Sequence, residues 1–135
     1  MYRVKIIIPG RVYSKNEWSY KKAAKGKKCG YAKSMEWEKT ARQHADGQLK
    51  QQGFKDFPLF PTENVVMIIE LRLHGKIRGD LQNYFKSICD SMQKKGHSPG
   101  VLYSDDKQIT SIAGSIVEVD DKSKEQLTIW VGKDE

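Results

Sequence analysis

The chain has 135 residues and a mass of 15.5 kDa, the size of one ordinary domain. Hydrophobic residues make up 38%, charged residues 30%, and the mean hydropathy is −0.68, which suits a small core under a wet surface and argues against wholesale disorder. No apolar run approaches the roughly 20 residues of a membrane span, and two cysteines, Cys29 and Cys89, exclude a disulfide scaffold or a four-cysteine zinc site. The apolar stretch from Met1 to Pro9 is too short and too alternating for a signal peptide, so the chain reads as soluble and cytoplasmic.

Tyr2 to Ile8 is β-rich and stops at Pro9-Gly10, which predicts a strand. Residues 11–32 lack a period and read as a long loop. From a Ser34 N-cap to about Gln52 the pattern is helical, with Trp37, Ala41, Ala45 and Leu49 on one narrow stripe and Gly53 as the stop. Residues 54–62, with Pro58 and Pro61, form a connector. Val65 to His74 is the strongest strand, with Ile69, Leu71 and Leu73 on one face and Glu70, Arg72 and His74 on the other. The period shifts to a helix from Asp80 to about Lys95, where Leu81, Tyr84, Phe85, Ile88 and Met92 make one buried stripe. After the loop Gly96–Gly100, Val101–Tyr103 is a short extended piece. Ile109–Val119 and Gln126–Val131 are strands joined by an acidic turn at residues 120–123. The expected fold is α+β: a single domain over 1–135, with one mixed sheet of about four strands and two main helices.

The net charge of +7 is unevenly placed. Residues 1–60 hold 14 Lys and Arg against 5 Asp and Glu, whereas residues 61–135 hold 10 against 12. Lys21, Lys22, Lys25, Lys27, Lys28 and Lys33 crowd into one stretch with Trp18, Tyr20 and Tyr31 interleaved. Lysines neutralise phosphates and aromatic rings stack on bases, so this half is a candidate nucleic-acid surface; a solvated lysine loop is the plain alternative.

The chemistry concentrates in residues 78–109. Spaced about 100° apart on a helix, Asn83, Lys86 and Asp90 fall on one polar stripe. Asp80 opens the helix, and Asp105-Asp106 lie in a turn before a strand. A carboxylate at a helix start facing an Asp-Asp turn suits a hard cation such as Mg²⁺ or Mn²⁺, which take oxygen ligands. Each has a plainer reading: Asp80 as an N-cap, Asp105-Asp106 as turn residues, Lys86 and Asp90 as a surface pair. His44, His74 and His97 lack metal-ligand spacing, and no GxSxG, Walker A or GxGxxG motif occurs. Glu70 and Arg72 read as an exposed pair on one strand face.

At these residues the sequence resembles the RusA family of Holliday junction resolvases. That family shows Asp-x-Asp-Asn-x-x-Lys-x-x-x-Asp, a short hydrophobic piece, then an Asp-Asp turn. Here Asp80, Gln82, Asn83, Lys86 and Asp90 stand at those spacings, followed by Val101-Leu102-Tyr103 and Asp105-Asp106. Pro9 and Ser14-Lys15-Asn16 are similar to the family's opening turn. The resemblance implies a Mg²⁺-dependent endonuclease (Mn²⁺ as a substitute) that acts as a homodimer on branched DNA, with two symmetric nicks and no small-molecule cofactor or membrane partner. It implies that Asp80, the position of Gln82, and Asp106 hold the metal, that Asp105 assists and that Lys86 serves cleavage. Asn83 and Asp90 would support the site, and Arg11, Lys15, Asn16, Lys76, Arg78 and the lysine cluster would hold DNA. Bacterial or prophage origin is likewise only what the resemblance implies. The departure is Gln82, where the family has a carboxylate. A neutral carbonyl binds Mg²⁺ more weakly, which leaves two expectations: a working resolvase, or a junction-binding protein with weakened cleavage. An RNA-binding α+β domain is a third.

Overall fold

A computed structural model describes residues 3–13, 30–75, 81–96 and 99–135, with backbone alone for Gly30, Tyr31, Ala32 and Ser34. The elements in chain order are β1 (Val4–Pro9), α1 (Gly30–Gln51), β2 (Val65–His74), α2 (Leu81–Met92), β3 (Ile109–Val119) and β4 (Gln126–Lys133). Two single 3-10 turns, Asp106–Gln108 and Lys122–Lys124, precede β3 and β4. The α+β expectation of one mixed four-stranded sheet with two helices is met. No helix among the described residues is long and apolar enough to cross a membrane.

The sheet order is β1-β4-β2-β3. β4 runs antiparallel to both neighbours, while β2 and β3 are parallel. Consecutive strands β3 and β4 therefore flank β2, and the chain crosses over its end through Lys122–Lys124. Polar side chains hold that crossing. Arg11 Nη1 donates to Glu125 Oε2 and to the His74 carbonyl, both at 2.9 Å. Glu125 Oε2 also accepts from the His74 amide, and the His74 ring lies 3.0 Å from the Val119 carbonyl.

Alternation sends Val4, Ile6 and Ile8 of β1, Val65 to Leu73 at every second position of β2, and Leu127, Ile129 and Val131 of β4 to one face. The helices cover that face. Trp37, Ala41, Ala45 and Leu49 of α1 are buried, as the four-residue repeat predicts. On α2, Tyr84, Ile88 and Met92 are buried, and Leu81 and Phe85 pack against the same core. Phe85 lies over β3 at Gly114, where a Cβ would stand 2.6 Å from its ring. Glu70 and Arg72 form the exposed pair expected on the other face, at 2.8 Å.

Two boundaries differ from the sequence expectation. α1 begins at Gly30, so Ser34 is inside the helix and not its cap, and residues 30–32 are not loop. Glycine is itself an acceptable N-terminal residue, and Tyr31 to Met35 extend the helical run. α2 ends at Met92, not near Lys95, because the Met92 carbonyl accepts from the amides of Val101 and Leu102 at 3.1 Å. The rest of the expected loop, residues 14–29, lies outside the described residues.

Two glycines should respond oppositely to alanine. Gly100 has φ +90°, and a Cβ there would lie 2.5 Å from the Tyr103 carbonyl oxygen and 2.8 Å from the Lys94 nitrogen. Gly47 is an exposed position inside α1 with open space around it. Gly100→Ala is expected to cost about 2 kcal/mol or more, and Gly47→Ala to gain about 0.5–1 kcal/mol. Urea denaturation of both variants checks the signs.

Candidate functional site

The turn that carries Asp105 and Asp106 is built from side-chain amides. Asp105 is the N-cap of the 3-10 turn, and its Oδ1 accepts from the Lys107 amide at 2.9 Å. Gln108, three residues on, returns its Oε1 to the amides of Ser104 (2.9 Å) and Asp105 (3.0 Å). This is a capping box in miniature. Gln108 Nε2 donates to the carbonyls of Phe60 and Glu63, tying the turn to the connector before β2. Phe60 and Tyr103 form a parallel bridge, which makes Val101–Tyr103 extended as expected.

The turn is pinned to the C-terminal end of α2. The Asp106 amide donates to Gln93 Oε1 at 3.0 Å, and Gln93 Nε2 lies 3.5 Å from Asp90 Oδ1. The Lys94 amide donates to the Ser104 carbonyl, and the Tyr103 hydroxyl donates to the Cys89 carbonyl at 2.7 Å. Asp90, Asp105 and Asp106 thus share one neighbourhood, and the electrostatics show it. Partial burial, the hydrogen bond with Asp105 and the charges of Asp105 and Asp90 push the Asp106 carboxyl up. The Lys107 amide, followed by the hydrogen bond with Asp106, holds Asp105 down. The two adjacent carboxyls are thus pushed in opposite directions.

The expected residues separate into three groups. Asp105, Asp106 and Asp90 come together. Lys86 is exposed, one helical turn before Asp90, and Asn83 lies one turn earlier, half-buried. Gln82 is exposed near the other end of α2. The Asp-Asp turn packs against the C-terminal end of α2; the helix start at Asp80 lies outside the described residues, and with it the expectation that it faces the turn. Among the described residues no three His, Cys, Asp or Glu side chains are grouped to hold a metal ion. Asp80, Lys15, Asn16, Lys21, Lys22, Lys25, Lys27, Lys28, Lys76 and Arg78 lie outside the described residues. Arg11, expected on a DNA surface, is 22% exposed and bound to Glu125 and His74, so it braces the strand crossing.

Two contributors escaped the sequence reading. Gln93 and Gln108 orient Asp106 and Asp105 through amide bonds. Gln108 carried a signal, an Asp-x-x-Gln spacing that fits a capping box. Gln93 carried none.

Cys89 faces this cluster from within α2. Burial first, then the charges of Asp106 and Asp90, raise its thiol to about 12, against a partial opposing effect of the Tyr103 hydrogen bond. The folded protein thus holds the thiol proton more tightly than the unfolded chain, whose ordinary value is 9.0. Stability contributed by this group is complete below pH 9 and declines as pH rises towards 12. In a Cys29→Ser background, alkylation of Cys89 at pH 7.5 should be at least ~10²-fold slower in the native protein than in guanidinium. Equal rates would contradict this burial.

Comparison with known proteins bears on the same segment. The family model described as Endodeoxyribonuclease RusA matches residues 9–130, which span β1's last residue to within β4. No curated protein matches the chain. The matched family is one of nucleases that act on branched DNA junctions. The chain, in sequence over 122 of its 135 positions (residues 9 to 130 inclusive), belongs to the RusA endodeoxyribonuclease family.

Proposed function

We propose that the protein is a Mg²⁺-dependent endonuclease that resolves four-way DNA junctions by paired nicks, acting as a homodimer. The observation that carries this reading is the Asp90–Asp105–Asp106 neighbourhood at the end of the helix bearing Lys86, in a chain of this family. Asp105 and Asp106, with Asp90 nearby, form an oxygen-only donor set. That fits a hard cation. Asp106 would hold it, with Asp80 at the family's position, Gln82 as a neutral carbonyl donor and Asp105 beside them; Mn²⁺ fits the same donors. Bound there, the ion would supply Lewis-acid polarisation of the phosphate and a more acidic water.

The chain's own residues supply the rest. Gln93 anchors the Asp106 backbone and Gln108 fixes the Asp105 amide, so the carboxylates are held before substrate arrives. Lys86 projects into solvent one turn from Asp90, where its ammonium would neutralise charge developing on the departing oxygen. Asn83, on the same face, would orient a phosphate. The basic first half of the chain would hold the DNA arms, a contribution that salt weakens.

Gln82 favours a second reading, a junction-binding protein with weakened cleavage, because it puts a neutral amide at an exposed family ligand position. Cleavage of a synthetic four-way junction under Mg²⁺ and Mn²⁺ titration, with a linear duplex as control, separates the two. The wild-type protein should place paired nicks on the junction alone. Asp106→Asn should slow cleavage by at least ~10²-fold while junction binding and the melting temperature are kept, since it removes a repelled carboxyl. Full-rate cleavage by this variant would reject the ligand assignment. Binding without nicks at any metal level, with cleavage restored by Gln82→Asp, would establish the second reading.

A further inference from the structure

A cavity separate from the aspartate cluster lies between α1 and the chain that follows α2. Lys39, Arg42 and Asp46 of α1 stand along it, and Phe57, Gly100 and Val101 line the other side. Its volume is about 410 Å³, within the range of roughly 300–1,000 Å³ common to ligand cavities.

Charge around this cavity is one-sided. Asp46 is satisfied by Lys50 at 2.9 Å, and the same ammonium lies 5.9 Å from the centre of the Phe57 ring. Lys39 is exposed, and among the described residues no carboxylate pairs with it or with Arg42. Arg42 donates through Nε to the Ser91 carbonyl at 3.2 Å. That bond steadies the guanidinium and leaves the Nη nitrogens for a ligand. Two cations thus stand beside an apolar floor of Phe57 and the buried Val101. The combination suits an anion that carries a flat ring.

We propose that this cavity takes one unpaired nucleotide of a DNA strand, with its base against Phe57 and its phosphate held by Lys39 and Arg42. The choice of DNA rests on the junction-nuclease reading. A base stacked in a duplex keeps its ring faces covered, whereas an unstacked base can enter a recess and lie on an aromatic side chain. Place favours a strand over a free nucleotide. Ser91, which Arg42 binds, directly follows Asp90, and the Asp106 amide is held by Gln93 two residues further on. The cavity and the carboxylates therefore meet the same end of α2, within reach of one strand. Such a pocket selects branched DNA with an unstacked base over continuous duplex.

The test uses the full chain in EDTA, so that no cleavage is needed. The probe is a four-way junction with one unpaired 2-aminopurine at its branch, and the control carries 2-aminopurine paired within an arm. Wild-type protein should change the emission of the unpaired reporter alone. Phe57→Leu, which keeps an apolar side chain, should abolish that change and weaken binding of the probe at least ~5-fold. Lys39→Ala, at an exposed helix position, should keep the melting temperature and lower the slope of log affinity against log salt by about one. Lys122→Ala, at the strand crossing, should leave that slope unchanged. Equal emission changes for wild type and Phe57→Leu, or a slope unaltered by Lys39→Ala, would overturn the proposal. If either variant loses binding of dTMP, or of an acidic peptide with one phenylalanine, yet binds the junction as wild type does, the cavity serves a free nucleotide or a protein and the proposal fails. Because the assay holds no metal, a protein that passes it and never nicks the junction defeats the nuclease reading alone. One that nicks the junction and fails the assay defeats the cavity assignment alone.

Discussion

The Gln108 amide makes four hydrogen bonds, two through each end, and the site depends on them. Its oxygen organises the backbone of Ser104 and Asp105, and its nitrogen ties that turn to the carbonyls of Phe60 and Glu63. One side chain thereby joins the connector before β2 to the turn before β3, the two segments from which the parallel pair of strands departs. A side-chain amide suits this task because it offers donors and an acceptor a fixed distance apart, at no cost of burying charge. Asp106 inherits its position from this brace and from Gln93, and both are neutral. The carboxylates are thus placed by groups that do not compensate their charge.

That arrangement explains the electrostatics of the cluster. A salt bridge to Asp106 would hold the turn equally well, but it would also satisfy the carboxylate. Here burial and the neighbouring aspartates drive Asp106 towards its protonated form, while Asp105 is stabilised as an anion by a backbone amide. Elsewhere the molecule does pair its charges: Arg11 with Glu125 at the strand crossing, and Lys95 with the buried Glu38 between the helices.

Much of the architecture was legible because it rests on periodicity. The alternation of Val65–His74 and the α2 stripe from Leu81 to Met92 each report burial directly, and the structure keeps both faces. The α1 stripe was equally readable, but its start was not, since Ser34 is a familiar cap and Gly30 a familiar breaker. The order of the strands was not legible: β3 and β4 follow one another in sequence, yet β2 separates them, and the Arg11–Glu125–His74 contacts that stabilise the crossing join residues up to 114 positions apart. At the site, spacing identified Asp90, Asp105 and Asp106 as chemistry-bearing residues. It did not reveal that the Asp-Asp turn docks at the C-terminal end of α2. Helical spacing fixes which side of a helix a residue occupies, and says nothing of which end a distant turn will meet.

The edges of the sheet also bear on how large an assembly can become. A sheet open on both sides can add copies without limit, because each new copy presents a fresh edge like the one it has just used. In this chain Gln48 and Gln52 of α1 bind the outward backbone groups of Ile7 and Lys5 on β1, so the sheet is closed to growth on that side. Replacement of either glutamine changes more than a pair of local hydrogen bonds: it bares an edge to which another chain could add.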